Sequence, residues 1–412
     1  MLGGWPPRRG PNRAVTTIGR AVNVVVYVSD ALRVDHLGCY GARFLNTKTI
    51  DELAAGGVRY DQAISAAPWT APSMTSMVTG LYAHRHGYLH WDAQLDPTTE
   101  TLFRALAAHG YEVGTFVFDT NYLFREMPEA NVRGTSETLD AAVSWLREHR
   151  AGPFLLFFHN WATHMPYEIL HSERKDWLAA KEEVIGGIQG DSASALEATR
   201  EAYRKAVERQ SEQLVASMLE ELENLGLREN TVFAFLSDHG ESWGERFLDK
   251  QDVKGVYHMH GATLYDEVVQ VPLVISAPGR LDPGVVTEQV RSVDLMPTLL
   301  ELAGVPAREI DGESLLHVDG DRPAVIAGTD KGALTKLAVR QPPWKLILHV
   351  ESGQEEAYRL DTDPRELDSR PTDAPSELRQ LVFQELESAE RRELTEEEEA
   401  TVAKRLSDLG YL

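Results

Sequence analysis

Two aspartates stand directly after apolar runs of strand length. Asp30 follows Ser29 at the end of a run that starts at Asn23, and Asp238 follows Ser237 at the end of one that starts at Thr231, with His239 beside it. Two carboxylates and an imidazole brought together from strand ends suit one hard-to-borderline divalent ion, Mn²⁺, Zn²⁺ or Mg²⁺, with Ca²⁺ a further option. A hydroxyl held against such an ion becomes a nucleophile, because coordination lowers its pKa and aims its oxygen. Thr70, in Pro68-Trp69-Thr70-Ala71-Pro72-Ser73-Met74, offers such a hydroxyl just before a helical stretch. Residues 73–78 read as the first turns of a helix with Pro72 at its start, and a helix N-terminus favours both an alkoxide and an anionic ester. Plainer roles are also open to these residues: Asp30 and Thr70 as N-caps, Asp238-His239 as a polar turn.

Bringing residues 30, 70 and 238 together requires a sheet whose strands end at one edge. Apolar, β-rich runs at 23–28, 111–118, 154–158, 231–236 and 271–275 alternate with helical spacing at 97–109, 136–149 and 192–225, the last as one or two helices stopped by Gly226. This alternation predicts an α/β fold, a mostly parallel central sheet with helices on both faces, and a site at the carboxyl ends of the strands. Beyond Pro306 the pattern changes to short strands at 324–326, 336–339, 345–350 and 357–360, followed by a Glu-rich helical stretch. The expected division is a flexible basic tail (1–20), a catalytic domain (21–306) and a small α+β subdomain (307–412).

Composition narrows the class of protein. The 412 residues carry a formal net charge of -23, from 64 acidic and 41 basic residues. That balance argues against nonspecific binding to nucleic acid or anionic lipid, but not against a small anionic ester, because a bound cation inverts the local field. No run approaches the ~20 apolar residues that span a membrane. The first twenty residues hold Arg8, Arg9, Arg13 and Arg20 but no apolar signal-peptide core, so a cytoplasmic location is expected. With one cysteine no intramolecular disulfide forms, and Cys39 reads as a packing residue. No feature of the sequence speaks to an oligomeric state.

The order of several stretches resembles the sulfatase branch of the alkaline phosphatase superfamily. They are Asn23 to Arg33 with Asp35 to Gly41, Pro68 to Gly80, Leu236 to Ser242, His260-Gly261, Leu264 to Glu267, Val293 to Leu299, Asp361 to Glu366 and Leu409 to Leu412. The resemblance implies the same α/β fold and C-terminal subdomain. It also marks departures. Where sulfatases carry the Cys or Ser that is oxidised to formylglycine this chain has Thr70, which cannot yield that aldehyde, and the Arg that completes the signature is Met74. The second carboxylate usual after the first is Ala31, and an Asp of a later motif is Ala162. The set Asp30, Thr70, Asp238 and His239 is instead similar to the single-metal site of phosphoglycerol and phosphoethanolamine transferases, which are membrane-anchored.

The resemblance further marks His164, within His159 to Tyr167, as similar to a substrate-binding histidine, and places His260 close to where sulfatases often have a lysine. Either imidazole would neutralise developing charge or protonate a leaving oxygen, whereas without the family a lone loop histidine reads as solvated. His84-Arg85-His86-Gly87 looks like the loop after the nucleophile helix, with His86 a substrate contact or a structural residue. His258 is a candidate ligand beside His260. A second metal on His164 and His260 would resemble the two-zinc phosphodiesterases, but these have an Asp where this chain has Asn160, so one metal is expected. Arg33 and Asp35 read as an ion pair under the site, and residues 396–399 as a solvated helix face.

These residues predict a metal-dependent hydrolase or transferase of phosphate or phosphonate esters, phosphodiesterase-like, working through a covalent phosphothreonine at Thr70. A sulfate-ester hydrolase that uses the Thr70 alkoxide without formylglycine is the second enzymatic reading. A noncatalytic ligand-binding relative is the third, motivated by Ala31, Met74 and Ala162 and opposed by the joint presence of Asp30, Thr70, Asp238 and His239.

Overall fold

Runs rich in valine and phenylalanine form the strands of one large sheet, since β-branched and aromatic side chains fit a pleated, buried surface. The structure is a computed structural model that describes residues 21–90, 93–117, 124, 127–135, 139–165, 167, 193–243, 260–330 and 332–389. In chain order the strands are β1 (Asn23–Ser29), β2 (Val58–Ile64), β3 (Glu112–Val117), β4 (Val132–Thr135), β5 (Phe154–Asn160), β6 (Thr231–Ser237), β7 (Gln270–Ser276) and β8 (Gly284–Arg291). Their spatial order is β4-β3-β5-β1-β6-β7-β2-β8. All run parallel except β7, which pairs antiparallel with both β6 and β2. The mostly parallel sheet is therefore as the alternation predicts, with one reversed strand.

Strand periodicity divides the core in two. Val24, Val26 and Val28 face one way with Leu155, Phe157 and Ala234, while Val25 and Tyr27 face the other with Leu156, Phe158, Phe233 and Phe235. The helices of seven residues or more around this sheet are α1 (Lys48–Ala55), α2 (Thr70–Thr79), α3 (Leu102–Ala108), α4 (Leu139–His149), α5 (Ala193–Arg209), α6 (Ala216–Asn224) and α7 (Leu295–Ala303). The first face is covered by Met74 and Met77 of α2, Phe103 of α3 and Leu299 of α7; the second by Ile50 of α1, Leu146 of α4, Tyr203 of α5 and Met218 of α6. The helical stretch expected at 192–225 is one path in which a π-helical turn, Gln210–Val215, joins α5 to α6. No described helix is long and apolar enough to cross a membrane.

A second, antiparallel sheet follows: β9 (Ala324–Asp330), β10 (Ala333–Gln341), β11 (Trp344–His349) and β12 (Glu355–Arg359), in the order β12-β11-β10-β9. The helix α8 (Ser376–Ser388) lays Leu378 and Val382 against Leu337, Leu346 and Ala357. This sheet is tied to the segments around the strand ends of the large one. Ala327 N–H donates to Ala66 O (2.9 Å), Thr329 Oγ1 accepts from the Trp69 indole (2.9 Å) and Lys336 Nζ donates to Ala262 O (2.7 Å). Lys345, fully buried, reaches Asp266 and Glu366 at 2.9 Å each, and Arg340 reaches Asp266 at 2.9 Å. The tail 1–20 and residues 396–399 lie outside the described residues.

Candidate metal centre and active site

Register alone brings the first ligands together. Ser29 of β1 is paired with Ser237 of β6, so Asp30 and Asp238, one residue further on, stand abreast at the carboxyl edge. On the other side of β1, Val28 is paired with His159 of β5. Because side chains alternate, His159 shares a face with Val28 and with Asp30. The backbone after β1 is shaped to hold this arrangement: Ala31 adopts the left-handed conformation (φ 56°), which costs a residue with a Cβ about 1–2 kcal/mol. The Tyr203 hydroxyl donates to Ala31 O and accepts from Arg33 N–H, both at 2.8 Å. The amides of Ala31 and His239 both donate to Asp238 Oδ1, at 3.1 and 2.8 Å, which turns Oδ2 toward the cluster.

The cluster is dense. His159 Nε2 lies 3.1 Å from Asp30 Oδ2 and 3.9 Å from Asp238 Oδ2, and His239 Nε2 lies 3.4 Å from an oxygen of each. Candidate ligand atoms of Asp30, His159 and Asp238 all fall within 4.8 Å of one another. Both Asp30 oxygens and Asp238 Oδ2 are buried and accept no hydrogen bond, and neither carboxylate meets a lysine or arginine among the described residues. Burial first, and the Asp238 carboxylate next, push the Asp30 carboxyl well above its usual range. Burial takes His159 down to about 4 against the pull of Asp238, leaving a neutral imidazole, the form that binds metals. Two adjacent buried carboxylates are costly unless a cation offsets them, so this donor set fits a divalent ion. His159 was absent from the expected ligands. It closes the apolar run Phe154-Leu155-Leu156-Phe157-Phe158, and a lone histidine at the end of such a strand was the available signal.

Thr70 arrives on α2. It is the first residue of that helix, after Trp69 at the N-cap, and its Oγ1 lies 3.3 Å from His239 Nε2. The hydroxyl thus faces the cluster. Ser73 Oγ and Ser65 Oγ both donate to the carbonyl of Asp238 (2.7 and 2.6 Å), fastening α2 to the end of β6. Gly80 ends the helix in the left-handed region (φ 68°). Met74 is fully buried in the core cluster that includes Val28 and Phe157, where it packs and contributes no charge.

His164 and His260 join the assembly through ring contacts. The His239 and His260 ring centroids are 4.4 Å apart, those of His260 and His164 5.0 Å, and Trp161 stacks on His164 at 4.8 Å. His260 Nδ1 lies 3.0 Å from Oε1 of the fully buried Glu241, a residue that sequence reasoning did not single out. The next residue, Gly261, donates its amide to Pro68 O (2.8 Å), so the histidine segment is fixed to the turn before Thr70. Asn160 Oδ1 accepts the Ala162 amide (3.0 Å) and thereby closes the turn after β5.

His86 is not brought into this cluster. Its Nε2 donates toward Ser76 Oγ (3.0 Å) and Pro72 O (3.3 Å) and its Nδ1 accepts Tyr88 N–H (3.0 Å), so both ring nitrogens serve the α2 connection. Burial pushes His86 down to about 3. His84 and Arg85 bind Glu385 of α8 at 3.0 and 3.2 Å, which makes the loop a structural joint. Arg33 and Asp35 form the expected ion pair (2.7 Å), and Arg33 Nη1 also donates to Glu241 O (2.9 Å) while stacking over Trp243. His258 lies outside the described residues.

Comparison with known proteins agrees with this architecture. The human protein "Arylsulfatase A" is 24% identical over 383 residues, 76% of this chain and 69% of its own length. "Uncharacterized sulfatase YidJ" of Escherichia coli (strain K12) is 24% identical over 377 residues, 74% and 72% of the two chains. Among solved structures, the phosphonate monoester hydrolase of Agrobacterium radiobacter superposes with a TM-score of 0.66 at 19% identity, covering 89% of this chain and 94% of that one. BT4656, solved with its substrate D-Glucosamine-2-N, 6-O-disulfate, gives a TM-score of 0.69 at 17% identity, with 90% and 98% covered. The family profile described as Sulfatase matches residues 22–305. The chain therefore belongs to the sulfatase family, within the alkaline phosphatase superfamily, and is a hydrolase of ester bonds.

Proposed function

We propose that this hydrolase cleaves phosphate or phosphonate esters, diesters and phosphonate monoesters best, through a covalent intermediate on Thr70. The observation that carries the reading is a threonine hydroxyl, not a formylglycine precursor, at the head of α2 and 3.3 Å from His239, with a buried methionine where the signature has arginine. Asp30, Asp238, His159 and His239 would hold one divalent cation, with Thr70 beside it. The chemistry such an ion supplies when bound is Lewis acidity toward the Thr70 hydroxyl and a nonbridging ester oxygen. Thr70 gives up its hydroxyl proton to solvent and its Oγ1 attacks, the ester oxygen departs with the bonding electrons, and His164 and His260 bind the charge that develops. Water or an acceptor alcohol then displaces Thr70. A monoester dianion asks for more positive charge than this residue set offers, which ranks it below the monoanionic substrates.

The test pairs 4-nitrophenyl diesters, phosphonates and phosphate monoesters with 4-nitrophenyl sulfate, assayed with Mn²⁺ or Zn²⁺. Phosphonate monoesters and diesters should lead. Thr70→Ala should lower turnover by several orders of magnitude in a folded protein, and Thr70→Ser should keep part of it. Wild-type rates in Thr70→Ala would show that Thr70 is not the attacking group. The second reading, a sulfate-ester hydrolase using the same hydroxyl, is supported by the family and by the sulfatases among its relatives. Faster turnover of the aryl sulfate would establish it over the first.

A further inference from the structure

Three histidines of the cluster have Nδ1 held by an oxygen, but the oxygens differ. His239 Nδ1–H donates to the Gly240 carbonyl (2.8 Å) and His164 Nδ1–H to the Met165 carbonyl (2.6 Å), both neutral dipoles. His260 Nδ1–H instead meets the Glu241 carboxylate at 3.0 Å. A carbonyl fixes a ring and its tautomer; a carboxylate also supports the positive charge that the ring takes on when its other nitrogen accepts a proton. Glu241 is fully buried, and its backbone is pinned on both sides. Gly240 N–H donates to Val268 O (2.6 Å), a Cβ at Gly240 would lie 2.2 Å from Glu267 O, and Arg33 holds the Glu241 carbonyl at 2.9 Å. The histidine is pinned through Gly261 to Pro68. Two rigid segments thus bring together a carboxylate and an imidazole 19 residues apart.

We propose that Glu241 is a positioning residue that makes His260 the general base for the water that releases the covalent intermediate, while His164 stays a neutral hydrogen-bonding group. The inference rests on the covalent reading above. In the releasing step the water oxygen bonds to phosphorus and the bond from phosphorus to Thr70 Oγ1 breaks, its electron pair going to that oxygen. The water proton moves to His260 Nε2, giving an imidazolium paired with Glu241, and then passes to Thr70 Oγ1 to restore the hydroxyl. A 4-nitrophenolate leaves without a proton, so with such a substrate the first step needs no acid, and the Thr70 proton would be lost to solvent as the cation held by the cluster lowers the pKa of the hydroxyl, whereas the second step draws its proton from water and needs a base.

The experiment is stopped-flow hydrolysis of 4-nitrophenyl phenylphosphonate by the metal-loaded protein, with intact-mass analysis of quenched samples. Glu241→Gln keeps the side-chain shape and removes the charge. It should release about one nitrophenolate per chain in a burst, then turn over about 100-fold more slowly than wild type or worse, with the phenylphosphonyl group retained on Thr70. His260→Ala should also show a burst, slower because the ring that binds the developing charge is gone, followed by the same slow turnover, and the double variant no further loss in that turnover. A steady-state rate in Glu241→Gln within about threefold of wild type, or loss of burst and turnover together, would overturn the assignment. Thr70→Ala judges the underlying reading separately: wild-type turnover in that variant removes the covalent intermediate, whereas an inactive Thr70→Ala beside a burstless Glu241→Gln removes only the role of Glu241.

Discussion

At the residue scale the centre is a problem of uncompensated charge. Asp30 and Asp238 share a buried pocket with two imidazoles, and each oxygen turned inward lacks a protein hydrogen-bond donor. Purified protein should therefore carry about one divalent ion per chain, and Asp238→Ala should lose it on dialysis against a chelator. His159→Ala and His239→Ala should each weaken metal retention, measured by elemental analysis and metal-dependent thermal unfolding. Full metal content in His159→Ala would leave it as a support beside the ligands. The convergence of Asp30, Asp238 and His239 was legible from sequence because polar residues directly after apolar runs mark strand ends, whereas Thr70 was read from the resemblance of its segment to the sulfatase signature. His159 closes such a run too, but its meaning appears only when β5 is placed next to β1 in register. Glu241 was hidden for a related reason: its partner stands on another segment, and no local pattern links the two.

At the element scale the strands buried along their full length, β1, β5 and β6, were the most legible, because burial on both faces leaves a near-continuous apolar run with polar residues only toward its ends. β2 and β8 were not read. β2 mixes Arg59, Asp61 and Gln62 among its buried positions and β8 is largely exposed over its first half, so neither presents an apolar run. The small sheet was read from its short strands, but its attachment to the site was not. That attachment is polar and buried: Lys345 between Asp266 and Glu366, with Arg340 on Asp266. Burial raises Glu366 to about 7 against the opposing pull of Lys345, while Lys345 and Arg340, outweighing burial, hold Asp266 well below its usual range. Lys345→Ala should leave these carboxylates uncompensated and destabilise the fold by about 3–5 kcal/mol in urea unfolding at pH 7. A change below about 1 kcal/mol would mean that Arg340 alone holds the joint.

At the scale of the whole molecule, acid should act through buried histidine. His86 is held neutral, with a pKa of about 3 against an ordinary 6.5. Below pH 6.5 the unfolded chain takes up a proton there that the folded chain refuses, so the contribution to stability is complete above 6.5 and falls as pH drops toward 3. The slope is at most about 1.4 kcal/mol per pH unit. Between pH 7 and pH 5, His86→Gln should lose about 2 kcal/mol less stability than wild type, whatever fixed amount it loses at both; equal losses would place the acid sensitivity elsewhere.

The strand pairing that builds the metal centre also sets when the centre can exist. Ser237 Oγ donates to Ser29 O across 208 residues, and β1 lies between β5 and β6, both later in the chain. At about 5–20 residues per second, β1 leaves the ribosome on the order of 10–40 s before β6. Until β5 emerges Val24, Val25, Val26 and Val28 lack both strand neighbours, and until β6 emerges they lack one; an unpaired β-branched segment is prone to join another chain. Slower synthesis lengthens this exposure and chaperone occupancy shortens it. Soluble yield should accordingly track chaperone supply during translation, and a charged substitution in β1 would relieve aggregation only by sacrificing the strand on which the cation site is built.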